Sequence, residues 1–230
     1  MSAQRQLTLY RLKVELALAE AKVPHKVHDV DIFNKPDWFI SKVYPVGKVP
    51  VVTYGGPDVD PENPSPLSEK IAESAVILEF IADLYPDSGL LPKDPVARAN
   101  VRFIVETFNS QFVPADFGFS RGKEPLEKLL KAIETIQDLL SETNEFAVGD
   151  TYTIADATLV PFIARMKITY ENDVGRFTPG EGHKLQAELQ KPLYTKFMRY
   201  SRAMLERQST KDTFDEELVT GIWNKIYARD

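Results

Sequence analysis

Cysteine is absent from this 230-residue chain. That single absence removes disulfides, thiolate metal sites and cysteine nucleophiles together. Histidine is scarce too: His25, His28 and His183 are the three. They are scattered, and His25 and His28 point to opposite faces of a strand, so no metal site is expected. No apolar run approaches the ~20 residues a membrane helix requires, which argues against a membrane partner. The opening MSAQRQLTLY lacks the basic-then-apolar layout of a secretion signal, so a cytoplasmic location is expected. Neither a phosphate-binding glycine loop nor a serine-hydrolase elbow occurs. Positive charge is in deficit, with 28 Lys and Arg against 34 Asp and Glu and a net charge of -6. Such a surface repels a phosphate backbone and excludes nucleic acid as the expected partner, while a local lysine cluster still suits a small anion.

What is present divides into two parts. Residues 6–10 (QLTLY) alternate and read as a strand. Residues 12–22 (LKVELALAEAK) are strong helix formers that stop at Pro24. Val27, Val30 and Ile32 suggest a second strand, and Asn34 is positioned to cap a helix that turns Trp38 and Phe39 inward. Residues 48–54 (KVPVVTY) read as a third strand closed by Gly55 and Gly56. Four prolines between Pro57 and Pro66 make that stretch a loop. A short strand around residues 67–70 and a helix over 73–84 follow. Pro86, Gly89, Pro92 and Pro95 then mark a domain boundary. Beyond it the pattern is helical: 96–109, 124–140 with Leu126, Leu129, Leu130, Ile133, Ile136 and Leu140 on one stripe, then 153–165, 192–207 and 213–227. The expectation is an α/β domain over residues 1–88 followed by an all-α domain over residues 94–230.

Four local patterns resemble the glutathione transferase family, its omega-like fungal members most of all, and the resemblance spans essentially the whole chain. The first is Lys48-Val49-Pro50 ahead of a strand. Alone it reads as a trans proline opening a strand; the resemblance implies a cis proline, with Val49 backbone groups pairing with the cysteinyl part of glutathione. The second is Glu73-Ser74 at a helix start. Alone it reads as a cap with a first-turn acid; the resemblance implies that Ser74 and the helix N–H groups hold the γ-glutamyl carboxylate while Glu73 meets the α-ammonium. The third is residues 34–39 (NKPDWF), where Lys35 is either a solvated lysine or, by resemblance, the cation for the glycyl carboxylate. The fourth is Thr153 and Asp156, which match a structural capping box. The implied fold is a thioredoxin-like N-terminal domain plus an all-α C-terminal domain, the implied ligand or co-substrate is glutathione, and the implied assembly is a homodimer.

One departure carries the chemistry. The family places a catalytic serine, cysteine or tyrosine in a loop after the first strand. Here the strand ends at Tyr10, and residues 11–14 (RLKV) already read as helix. Most of that loop is missing. Thiolate stabilisation is the source of the nucleophile, so conjugating or peroxidase activity is expected to be weak. Thiol-transferase and dehydroascorbate reductase chemistry lacks its protein cysteine. Tyr10 is the nearest hydroxyl and the one catalytic candidate with any claim, against a packed strand residue; Thr8 and Ser2 rank below it. In the second domain the aromatic stretch 109–119 reads as an irregular pocket wall. Phe112, Phe117, Met166 and Tyr170 are the expected contacts for small hydrophobic or aromatic molecules such as polyphenols. Two functions follow: a transferase of weakened activity, or a ligandin-type protein that holds aromatic compounds without turnover.

Overall fold

The computed structural model describes residues 6–10 and 14–227. The chain divides at Leu90/Leu91 into two compact units. In unit 1, β1 (Leu7–Tyr10) leads to α1 (Glu15–Glu20), β2 (Lys26–His28), β3 (Val51–Tyr54), β4 (Glu69–Ala72) and α2 (Ser74–Leu84). The four strands form one sheet in the order β2-β1-β3-β4, with β1 parallel to β2 and antiparallel to β3, and β3 antiparallel to β4. This is the thioredoxin-like arrangement the sequence predicts.

All four residues of β1 are buried, as a central strand covered on both faces requires. Its alternation sends Tyr10 into a cluster with Val30, Phe39, Val43 and Val51, and sends Leu7 and Leu9 to the opposite face. Leu16, Ala17 and Leu18 of α1 and Ile77, Leu78 and Ile81 of α2 are buried as well.

Several local expectations are corrected. Helix α1 begins at Glu15, with Val14 flanking it. The expected helical residues Arg11, Leu12 and Lys13 lie outside the described residues. Strand β2 ends at His28, although Val30 still enters the core at 8% exposure. Asn34 caps nothing: the Asp31 carboxylate accepts from the Phe33 and Asn34 N–H groups at 2.9 and 3.2 Å, and the turn beyond runs from Asp37 into a π-helical turn over Phe39–Val43. An aspartate three residues upstream wins the loop donors that a cap at Asn34 would have organised. β3 starts at Val51 rather than Lys48, and β4 is displaced two residues from the expected 67–70.

Unit 2 is helical. α3 (Pro95–Thr107) starts on Asp94, whose carboxylate accepts from the Ala97 N–H at 2.7 Å. It passes through a π-helical turn, Phe108–Phe112, into α4 (Val113–Ser120). The expected irregular wall over 109–119 is therefore helix. Pro114 follows the π-helical turn inside this continuous helical run, and Gly118 admits the Glu124 side chain at a point where a Cβ would stand 2.4 Å from Cγ. α5 (Leu126–Leu139), α6 (Ile154–Glu171), α7 (Glu181–Leu189), α8 (Thr195–Glu206), α9 (Gln208–Thr213) and α10 (Glu216–Ile226) complete the unit. α7 and α9 carry too few apolar positions to have been expected. Among the described residues no helix is long and apolar enough to cross a membrane.

α6 opens with the predicted capping box. Asp156 is fully buried, and its carboxylate accepts from Thr153 N, Thr153 Oγ1, Ala147 N and Tyr200 Oη at 2.9–3.1 Å. Burial pushes its pKa up, and these four donors pull against that rise. Removing the acceptor leaves several donors stranded in the core. Asp156→Ala is expected to destabilise the protein by about 3–5 kcal/mol, read as a large fall in the thermal midpoint followed by circular dichroism.

Candidate functional site

Strand register assembles one end of unit 1. Val51 pairs with Ala72 in the antiparallel β3–β4 ladder. Residues preceding Val51 therefore lie beside residues following Ala72, which sets Val49 and Pro50 against Glu73 and Ser74. The Val49-Pro50 peptide is cis. Val49 and Ala72 both pack against the cluster around Tyr10.

Gly47 draws a further residue to this end. Its φ is +70°, and its buried backbone leaves room for neighbours: a Cβ there would stand 2.7 Å from Ile40 Cδ1 and 3.4 Å from Lys35 Cδ. The Lys35 stem thus lies along the turn that delivers Lys48, Val49 and Pro50. One Lys35 ammonium hydrogen goes to the Ile32 carbonyl at 2.8 Å, and an ammonium has three to give. Lys48 is exposed.

Some long helices of this chain are capped by a side chain, and others, α5, α8 and α2 among them, are not. α3, α6 and α10 are each capped by a side chain, from Asp94, Thr153 and Asp215. α2 has no side-chain cap and no acid in its first turn. Glu73, immediately before it, is exposed and held at φ 69°, ψ 119°, a conformation costing an ordinary residue about 1–3 kcal/mol. Open N–H groups at the positive end of an 11-residue helix attract an anion. The structure therefore gathers Lys35, Lys48, Val49, Pro50, Glu73 and Ser74 at one end of the sheet.

Tyr10 is nearby but committed. Its side chain is fully buried among Trp38, Phe39 and His28, with ring centroids at 5.8–6.0 Å. Its hydroxyl donates to the Pro61 carbonyl at 2.7 Å. Burial raises its pKa; a Thr53 side-chain hydrogen bond opposes the rise and the Asp60 charge adds to it. The phenol's one proton is already given away.

The expected aromatic contacts in unit 2 do not share one accessible surface. Phe112 is fully buried and stacks on Phe108 at 4.5 Å. Tyr170 is fully buried, donates to Asp116 Oδ1 at 2.6 Å, and has its pKa raised well above the usual phenol value, first by burial and then by Asp116. Met166 is buried, whereas Phe117 is half-buried, with the Arg121 guanidinium 4.9 Å from its ring centroid. Among the described residues no group of three or more His, Cys, Asp or Glu could hold a metal. Two features escaped the sequence reading: the seat at Gly47, and Arg165, an arginine buried in α6. A lone arginine in the apolar run 159–170 was the available signal for the second.

The family model described as "Glutathione S-transferase, N-terminal domain" matches residues 9–89, and "Glutathione S-transferase, C-terminal domain" matches residues 124–203. The chain is 39% identical to glutathione transferase Omega 1C from Trametes versicolor, with 97% of each chain covered and a TM-score of 0.92. It is 30% identical to Omega 2S of the same fungus, in complex with 2,4-dihydroxybenzophenone, covering 97% of this chain and 100% of that one at a TM-score of 0.89. Among curated relatives, the probable glutathione S-transferase DHAR2, chloroplastic, of Oryza sativa subsp. japonica is 30% identical over 68% of this chain and 51% of its own length. The same plant's probable cytosolic glutathione S-transferase DHAR1 is 28% identical over 94% of this chain and 89% of its own length.

The close approach at Gly47 is open to test. Gly47→Ala forces a Cβ against Ile40 at a positive φ, and urea unfolding is expected to show a loss of about 1–3 kcal/mol.

Proposed function

The chain belongs to the glutathione S-transferase family, and from that premise we propose that unit 1 holds glutathione at the sheet end built by Pro50 and Glu73. The observation that carries this reading is the uncapped, acid-free start of α2 beneath a strained Glu73. The open N–H groups and the Ser74 hydroxyl receive the γ-glutamyl carboxylate, and Glu73 receives the α-ammonium. Val49 offers its backbone N–H and C=O to the cysteinyl residue, as one strand does to another. Lys35 supplies a charge-assisted bond to the glycyl carboxylate, with Lys48 adding positive potential.

Binding is expected to outrun chemistry. Only Arg11, Leu12, Lys13 and Val14 separate β1 from α1, and none offers a hydroxyl or thiol. Tyr10 spends its proton on Pro61. Without a hydroxyl or thiol donor in this link, activation of the glutathione thiol is expected to be weak, with little thiolate at neutral pH. A protein with no cysteine also has no thiol of its own for mixed-disulfide chemistry. The reading is thus a glutathione-binding protein of weak conjugating or peroxidase activity, with a ligandin-type role toward aromatic compounds as the second reading. The complex of the fungal Omega 2S relative with 2,4-dihydroxybenzophenone supports that second role. Exposed Val76 on α2 and Val96 and Phe103 on α3 support assembly as a homodimer, and the cytosolic rice relative supports a cytoplasmic location.

Calorimetric titration with glutathione, beside a conjugation assay on 1-chloro-2,4-dinitrobenzene, tests this. Glu73→Gln combined with Ser74→Ala is expected to weaken glutathione binding at least ~10-fold, the worth of one lost charge-assisted bond. Unchanged affinity would place the ligand elsewhere. Tyr10→Phe is expected to leave any residual turnover unaltered while lowering stability by about 1 kcal/mol, the value of the bond to Pro61. A tenfold fall in turnover would make Tyr10 the thiol's donor after all.

A further inference from the structure

Helix α8 turns one face toward a cavity of about 440 Å³ in unit 2. Met198, Arg199, Arg202 and Glu206 reach it from that face, three and four residues apart, as neighbours on a helix surface must be. Leu189, at the end of α7, and Glu145, in the link between α5 and α6, line it from other elements.

The walls are braced. Arg199 Nη2 donates to the Ser141 carbonyl at 3.1 Å. The Lys196 ammonium donates to the Leu140 carbonyl at 3.2 Å and pairs with Glu142 at 2.6 Å. The α5–α6 link also closes on itself, with the Ser141 N–H on the Ala147 carbonyl at 3.2 Å and the Asn144 N–H on Ser141 Oγ at 3.0 Å. A site held in this way has little left to order when a ligand enters.

Hydrogen-bond accounting then separates the spent charges from the unspent. Lys191, also in the lining, is paired with Glu188 at 2.6 Å. Arg199 gives its hydrogen bond to a neutral carbonyl, and the one carboxylate that feels its charge, Glu142, is already bonded to Lys196. Among the described residues Arg202, Glu145 and Glu206 enter no side-chain hydrogen bond or ion pair. Arg202 and Glu206 stand four residues apart, a spacing that permits a pair, and none forms. Two guanidiniums and two carboxylates thus face one cavity whose apolar lining includes Met198 and Leu189. Their charges balance, so the cavity favours neither a bare anion nor a bare cation. A ligand carrying both signs satisfies it.

We propose that this cavity binds a short zwitterionic peptide, with its carboxylate on Arg199 and Arg202, its ammonium on Glu206 and Glu145, and an apolar side chain against Met198 and Leu189. Four residues of helix separate Arg202 from Glu206 by about 6 Å of rise. A free amino acid carries both charges on one carbon, whereas each added residue moves them apart by about 3.3 Å. The assignment goes beyond the glutathione reading and uses none of its residues.

Titration of the isotope-labelled full chain with leucyl-leucine, followed by nuclear magnetic resonance, tests it. N-acetyl-leucyl-leucine, which lacks the ammonium, and leucyl-leucine amide, which lacks the carboxylate, are each expected to bind at least ~5-fold more weakly. Free leucine should also bind more weakly than the dipeptide. Arg202→Gln should reduce the dipeptide to the affinity of its amide while leaving the amide within about twofold, and Glu206→Gln should do the same toward the acetylated form. Both side chains are exposed, so neither variant is expected to shift the thermal midpoint beyond the small range of surface changes. Absence of binding by leucyl-leucine overturns the site. Equal affinity for the three dipeptide forms overturns charge recognition, and a preference that survives both substitutions overturns its placement on α8. Free leucine binding as tightly as the dipeptide makes the ligand an amino acid and overturns the peptide.

Discussion

In an antiparallel pair, the residue before one strand comes to rest beside the residue after the other. In this chain that rule joins Val51 to Ala72, and everything at the candidate glutathione site hangs from the join. A slip of one residue would turn Val51 away from the cluster it shares with Tyr10 and Phe39, so the core forbids the slip. The register is therefore held by apolar packing, while the polar groups it delivers at the strand ends are left open. Packing and open polar groups are separated along one ladder: β3 is buried for most of its length, and Glu73 beyond the end of β4 meets solvent.

Helix starts show the same division of labour. At α6 the carboxylate of Asp156 gathers four donors from two backbone and two side-chain groups, and that end of the helix has nothing left to offer a ligand. At α2 no side chain intervenes, and the residue before it is strained. A short acidic cap there would add roughly 1 kcal/mol to the fold and close the site. The difference between the two helix starts is one of saturation, and it can be read from hydrogen-bond accounting before any ligand is considered.

The sequence exposed those features that depend on near neighbours. The alternation in β1 and the Thr153–Asp156 box are local patterns, and both correspond to features of the structure. The candidate glutathione residues were reached by resemblance, and register then explains why they lie together. What stayed hidden needed tertiary information. Pro114 resembles a helix breaker, yet the chain runs helically past it, with the π-helical turn just ahead of it. α7 offers only Gly182, Leu185 and Leu189 to the interior, too thin a stripe for periodicity to detect. Phe112 and Tyr170 look the same in sequence as ligand contacts would, and only burial shows that their rings are spent on the core. Arg165 is the reverse case: its type suggests the surface, and its position buries it.

The loop between β3 and β4 spans residues 55–68. It is fastened to the rest of unit 1 by the Tyr10 hydroxyl on Pro61, by the Lys42 ammonium on Asn63 at 2.8 Å, by the Lys26–Asp58 pair, and by His28 at 3.7 Å from Glu62. The exposed ion pairs contribute little, so the buried phenol bond is the principal anchor. That anchor grips β1 at its C-terminal residue from outside the strand's own connection to α1. The end of the strand is moored to a part of the chain 51 residues away. A strand end held in this way keeps its place through a contact made across the fold as well as through its own ladder, so the long proline-rich loop serves as a clasp on the sheet rather than a mere connection.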